Sequence, residues 1–136
     1  MVNVICVSKQ VKKMSEPHSA NKIYNRLEVA QYLENRLNTW HWEECCICRR
    51  YKTTGWKSTL FVVNAIAYLA EAGWHHPDLE VSYDSVTVRF TNHDAGGVTR
   101  KDFEMAEKVE QILTWEPGED RISALGTNPN KTLNNN

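Results

Sequence analysis

The spacing of apolar residues changes period along this chain, and each change marks an element. From Arg26 to Leu37, "RLEVAQYLENRL" sets Leu27, Ala30, Leu33 and Leu37 at helical spacing with polar residues between them, which predicts an amphipathic first helix. The aromatic and small apolar stretch "TWHWEECCICRRYK" has no helix punctuation and predicts one long strand or two short ones turning near Glu43 and Glu44. Gly55 breaks that pattern. "WKSTLFVVNAIAYLAEA" then runs to Gly73 with apolar residues on nearly every side, as in a helix buried on more than one face, against the sheet and against another subunit.

After Pro77 the period falls to two. Leu79, Val81 and Tyr83, then Val86, Val88 and Phe90, alternate with Glu80, Ser82, Thr87 and Arg89, the pattern of two half-buried strands. "DAGGV" follows as a flexible link, and "RKDFEMAEKVEQIL" places Phe103, Ala106, Val109 and Leu113 on one face of a last helix. Thr99, with Asp102 three residues later, resembles a capping box in which Asp replaces the usual Glu or Gln. The order α-β-β-α-β-β-α predicts an α+β fold, a small antiparallel sheet of about four strands with three helices on one face. Residues 1–22 and 116–136 lack a sustained period and are expected to form a flexible arm and tail around one domain over residues 23–115.

Composition narrows the function classes. The formal net charge is -1, so no basic stripe advertises nucleic acid or an anionic membrane. The longest apolar run, Leu60 to Ala70, contains Asn64 and is far shorter than the roughly 20 residues that cross a bilayer. The N-terminus shows neither a basic leader nor a long apolar segment, so an intracellular, cytoplasmic protein is expected. Cys6, Cys45, Cys46 and Cys48 have spacings that suit neither a disulfide framework nor zinc-knuckle pairs, and reduced thiols buried in a strand are expected.

Three of the five histidines, His75, His76 and His93, lie in "EAGWHHPDLEVSYDSVTVRFTNHD". Pro77 pushes His76 out of the helical region, and Gly73 is a plausible helix terminator, so His75 and His76 sit in the corner between helix and strand. With a two-residue turn at Asp84-Ser85, Val81 would face Val88, Leu79 would face Phe90, and the continued register would set His76 opposite His93. Opposed residues lie about 4.5–5.5 Å apart at Cα, so these imidazoles would border one site. An imidazole titrates near 6.5, and two of them can both give and take a proton in one turnover. A single histidine is more often structural, and zinc is disfavoured by the adjacent His-His spacing and the absence of a helical His-x-x-x-His. Glu71 and Asp102, at helix ends, are usually solvent-facing or dipole-related when taken alone.

The spacing of Glu71, "HHP", Tyr83, His93 and Asp102 resembles the signature of the pterin-4a-carbinolamine (4a-hydroxytetrahydrobiopterin) dehydratases, over roughly Arg49 to Ile112. The resemblance implies a small antiparallel sheet with helices on one face, assembled as homodimers or homotetramers. It implies removal of water from 4a-hydroxytetrahydropterin to give quinonoid dihydropterin in pterin recycling, without metal or organic cofactor. His75, His76 and His93 would be the catalytic cluster. Trp74 to His76 and Thr91, Asn92, His93 and Asp94 would contact the pterin, with Glu71 and Asp102 as supporting carboxylates. The chain departs from the family at Thr53, Thr54 and Gly55, where an aromatic, Lys and Asp or Asn are common, and at Asn92, where Thr is common. Relatives of this fold also serve as binding proteins, including a transcription-factor dimerisation cofactor and Rubisco assembly factors, whose tails "TWEPGEDRISALGTNP" weakly resembles. A protein client is therefore the alternative to a pterin substrate. Neither nucleic acid nor membrane is an expected direct partner.

Overall fold

The computed structural model describes residues 22–115; the expected arm and tail lie almost wholly outside them. The element order is α1 (Arg26–Arg36), β1 (His41–Glu43), β2 (Cys46–Lys52), α2 (Trp56–Gly73), β3 (Asp78–Ser82), β4 (Ser85–Phe90) and α3 (Arg100–Leu113). The four strands form one antiparallel sheet in the order β1-β2-β4-β3. This is the predicted α+β arrangement, and the aromatic stretch resolves into two strands joined through Glu44, at φ 52°, and Cys45.

The core lies between the sheet and the helices. Ile47, Tyr51, Val86, Val88 and Phe90 from the sheet meet Val29, Leu33, Val62, Ile66, Phe103, Ala106 and Val109 from the helices. Phe90 and Phe103 are fully buried, each contributing about 1.5–3 kcal/mol through its removal from water. Tyr32 stacks on Phe103 with ring centroids 3.9 Å apart. At one end of the core the Glu110 carboxylate accepts from Trp40 Nε1 (2.9 Å), the Tyr51 hydroxyl (2.5 Å) and the Arg49 guanidinium. Burial, and then that carboxylate, push the Tyr51 phenol upward from its ordinary pKa.

The inward face of α1 differs from the expected one. Val29 and Leu33 are buried, with Leu37 just beyond the helix, whereas Leu27 and Ala30 are exposed. Asn25 sets the phase: its Oδ1 accepts from the Leu27 and Glu28 amides while Glu28 reaches back to the Asn25 N–H. That start turns Leu27 away from the sheet. Helix α2 buries Val62, Ile66 and Ala70 and leaves Trp56, Leu60, Phe61 and Tyr68 exposed in the single chain. Strand β3 is a sheet edge, so Val81 is exposed while its partner Val86 on β4 is buried, and Tyr83, in the turn beyond β3, is exposed as well.

Thr53, Thr54 and Gly55 build the start of α2 by hydroxyl chemistry. Thr53 Oγ1 lies 2.5 Å from Thr59 Oγ1, the Thr54 amide donates to Ser58 Oγ at 3.1 Å, and Ser58 Oγ donates to the Gly55 carbonyl at 2.9 Å. Gly55 sits at φ 142°, a conformation that needs glycine.

The β3–β4 register differs from the expected one by two residues. Ser82 pairs with Ser85, Val81 with Val86 and Leu79 with Val88, so the turn is Tyr83-Asp84 rather than Asp84-Ser85. Its carbonyls are held by other elements: Thr59 Oγ1 donates to Tyr83 O at 2.9 Å, and the Thr53 amide donates to Asp84 O at 2.7 Å. Ser85 is meanwhile paired with Lys52 on β2. The ladder ends at Asp78 and Arg89, and His76 is not the cross-strand partner of His93.

Candidate active site

The corner that carries His75 and His76 begins with a helix ending. Trp74 occupies the left-handed region (φ 47°, ψ 49°) and caps α2. The His75 amide donates to Ala70 O at 3.0 Å and the Trp74 amide to Glu71 O at 3.2 Å, the paired bonds of a Schellman motif. The left-handed residue is therefore Trp74, not Gly73. Gly73 serves in another way: a Cβ there would lie 2.5 Å from Met105 Sδ, so glycine leaves room for the Met105 side chain where α2 and α3 meet. A left-handed tryptophan costs about 1–2 kcal/mol relative to ordinary backbone. Lys101 Nζ, on α3, donates to the Trp74 carbonyl at 2.8 Å and helps hold the cap.

This cap aims His75 inward. Its ring lies nearly parallel to Phe90, with centroids 5.9 Å apart and planes at 13°, and its Nε2 is 2.6 Å from Asp102 Oδ1. Asp102 is fully buried on the third residue of α3. Its second oxygen, Oδ2, accepts the Thr99 amide at 2.7 Å and the Thr99 hydroxyl at 3.0 Å. The expected capping interaction is present through this carboxylate, but far from facing solvent it also reaches the imidazole. A carboxylate only accepts, so His75 donates from Nε2, and in the neutral tautomer that makes this bond Nδ1 is the acceptor.

The other two histidines have more open partners. His76 Nε2 is 2.7 Å from Glu71 Oε1, and Trp74 meets the His76 ring edge-on at 5.6 Å. His93 Nε2 lies 3.5 Å from Asp78 Oδ2. Both rings are more than half exposed, in contrast to the nearly buried His75.

The loop after β4 is organised by Asn92. Its Oδ1 accepts the Ala95 amide at 3.0 Å, its own amide donates to Gly97 O at 3.0 Å, and its carbonyl accepts the Gly96 amide at 2.8 Å. Gly96, at φ 77°, closes the turn. Thr91 is buried and donates its hydroxyl to the Cys45 carbonyl at 2.9 Å. Trp74 and Asp94 are exposed.

The structure thus pairs His75 with Asp102 and His76 with Glu71, and sets His93 beside Asp78, a partner the sequence pattern did not mark. All three pairs occupy the end of the hairpin where β3 begins and β4 finishes. The sequence pattern marks Phe90 as a strand residue and Thr99 as a helix cap rather than as neighbours of the site, and it does not single out Lys101, because a core aromatic, a cap and a surface lysine carry no chemical signature of their own. The ladder does not join His76 to His93; His93 reaches the corner through the loop.

A family model for pterin 4 alpha carbinolamine dehydratase matches residues 22–112, which takes in all but the last residue of the elements described and all three histidine–carboxylate pairs. The chain belongs to this family. It is 49% identical over 86 residues to a protein of Aquifex aeolicus (strain VF5), covering 63% of this chain and 86% of that one. A relative from Chloroflexus aurantiacus (strain ATCC 29366 / DSM 635 / J-10-fl) is 37% identical over 86 residues, covering 63% and 91%. Both bear the name "Putative pterin-4-alpha-carbinolamine dehydratase". The chain is similar in structure to a transcriptional coactivator/pterin dehydratase from Brucella melitensis, with a TM-score of 0.62 and 26% identity, over 67% of this chain and 98% of that one. The pterin 4 alpha carbinolamine dehydratase family therefore accounts for the fold.

Proposed function

We propose that this chain dehydrates 4a-hydroxytetrahydrobiopterin, or a closely similar 4a-hydroxytetrahydropterin, to the quinonoid dihydropterin by histidine general acid–base catalysis. The observation that carries the reading is the buried His75–Asp102 pair beside two exposed imidazole–carboxylate pairs, in a chain of the dehydratase family. In the reaction the C4a–O bond breaks, the hydroxyl leaves as water with a proton from an acid, and a base removes an N–H proton from the pterin ring. His75 suits the base: Asp102 occupies Nε2, stabilises the imidazolium that forms, and leaves Nδ1 to accept. His76 and His93, each beside a carboxylate, suit delivery of a proton to the departing hydroxyl. Trp74, Thr91, Asn92 and Asp94 frame the same end of the sheet, Asn92 by shaping the loop that carries His93.

A rapid-mixing assay on freshly generated 4a-hydroxytetrahydropterin tests the reading. The wild type should accelerate water loss above the spontaneous rate, and His76→Ala and His93→Ala should abolish or greatly reduce that acceleration while remaining folded. No acceleration by the wild type would overturn the enzymatic reading.

A second reading is a binding role, as a transcription-factor dimerisation cofactor or a Rubisco assembly factor. It is supported by the structural similarity to the Brucella protein, which is named a transcriptional coactivator as well as a pterin dehydratase, and by the exposed apolar face of α2. That face also supports assembly as a homodimer or homotetramer. Among the described residues no helix is long and apolar enough to cross a membrane.

A further inference from the structure

The face of the sheet turned away from the helices carries a second chemical cluster. His41 and Cys48 are direct cross-strand partners on β1 and β2, as are Glu43 and Cys46. Opposed residues share a face, and so do residues two apart on one strand, so all four side chains emerge on the same side. Ile47 and Tyr51, of opposite parity, enter the core. The His75–Asp102 pair belongs to the helix-covered side, where His75 lies against Phe90.

Ligand atoms of His41, Glu43 and Cys48 lie within 4.8 Å of one another. Around a tetrahedral zinc ion, with bonds of about 2.0–2.3 Å, neighbouring ligand atoms stand roughly 3.5 Å apart. The cluster needs only a contraction of about 1 Å, and the exposed His41 ring can supply it without moving the sheet. We propose that His41, Glu43 and Cys48 form a binding site for a thiophilic divalent cation of the zinc class, which fastens the edge strand β1 to β2.

The donor set has the right chemistry. An imidazole, a carboxylate and a thiolate are the three ligand types zinc takes, and together they bring two negative charges. Cys48 is buried at the floor while His41 is exposed at the rim, which leaves a path for the ion from solvent. Three protein ligands leave a fourth position for water, and the neighbouring Cys46 thiol is engaged elsewhere, donating to the Glu43 carbonyl at 3.1 Å. Arg89 is the competing cation: its Nε donates to Glu43 Oε2 at 3.1 Å, and its other end reaches Glu80 at 3.2 Å. It sits beside Cys48 on β4, so the occupied site would have an overall charge of about +1 including this arginine. Cys45 is exposed in the turn and is absent from the cluster, which makes it an internal control.

Sequence spacing conceals the site because its ligands lie on two strands, and "CCIC" contributes only one of the three.

The test uses the reduced full chain freed of metal and titrated with Co²⁺, followed by the thiolate-to-cobalt charge-transfer absorption and by Zn²⁺ competition. One ion per chain should produce the band, and Zn²⁺ should remove it. Cys48→Ala should abolish the band and His41→Ala should weaken binding by at least about tenfold, while Cys45→Ser and Cys6→Ser retain it. Circular dichroism checks that each variant is folded, and His41→Ala, at an exposed position, keeps the test valid if the buried Cys48 variant does not fold. No charge-transfer band in the wild type, a band that survives Cys48→Ala, or one lost in Cys45→Ser would each overturn the assignment.

Discussion

Replacing Asp102 by Asn changes almost no volume, yet it should reverse the proton on His75. In the wild type, Oδ2 accepts the Thr99 amide at 2.7 Å and Oδ1 faces His75 Nε2 at 2.6 Å. A carboxamide has one acceptor end and one donor end, and the Thr99 amide is a backbone donor that cannot rotate away. The oxygen must therefore face Thr99 and the NH₂ must face His75. Nε2 is then forced to accept, so the proton moves to Nδ1, the atom proposed to serve as base. Two charge-assisted bonds from Thr99 become neutral, at about 1 kcal/mol each, and the favourable charge at the start of α3 is lost, at about 0.5 kcal/mol. The expected destabilisation is about 2–3 kcal/mol, read as a lower urea midpoint. Loss of a correctly protonated base should lower the dehydration rate by about 10²- to 10⁴-fold. Nitrogen NMR of the His75 ring reads the tautomer directly and independently of any substrate. A folded Asp102→Asn protein that keeps the proton on Nε2, or that dehydrates at the wild-type rate, would refute the reasoning.

Three further outcomes follow from the same geometry. Trp74→Gly removes a left-handed strain of about 1–2 kcal/mol and adds about 0.5–1 kcal/mol of unfolded-chain entropy, so urea denaturation should show a net gain of up to about 1.5 kcal/mol; a loss would mean that the ring contact with His76 outweighs the strain. Glu110→Gln weakens an acceptor shared by Trp40, Arg49 and Tyr51 and should lower stability by about 2–3 kcal/mol, whereas an unchanged denaturation midpoint would show that the carboxylate charge is unimportant there. Burial pushes the Cys46 and Cys48 thiols up to about 11 and about 12, so at mildly alkaline pH an alkylating reagent should label Cys45 and spare both until denaturant is added. Peptide mapping distinguishes the three, and rapid native labelling of Cys48 would contradict that placement.

The buried Asp102 shows why a site can be half legible. Its spacing from Thr99 announced a helix start, and its spacing from the histidines matched a family signature, but a carboxylate in a first helical turn normally faces water. Its burial arises because α3 lies beside the end of α2, an approach that Gly73 permits by leaving room for Met105. Cys45 makes the complementary case. It sits in the same short run as two buried thiols and was expected to be buried with them, yet the turn at Glu44 exposes it.

Local periodicity and the order of elements were enough to specify three helices and the β3–β4 pair, because each amphipathic period encodes which side must leave water, whereas the aromatic stretch was compatible with one strand or two. The spacing of the histidines and carboxylates was enough to indicate a family. Tertiary structure alone decided which atoms meet. The hairpin register moved by two residues because Thr53 and Thr59, from outside the hairpin, hold the turn carbonyls, and a shift of two preserves the face of every side chain. A pattern of period two is blind to such a shift. The pairing of His93 with Asp78 in place of His76, and the meeting of His41, Glu43 and Cys48 across two strands, both depend on register and strand neighbours, which alternation alone does not encode.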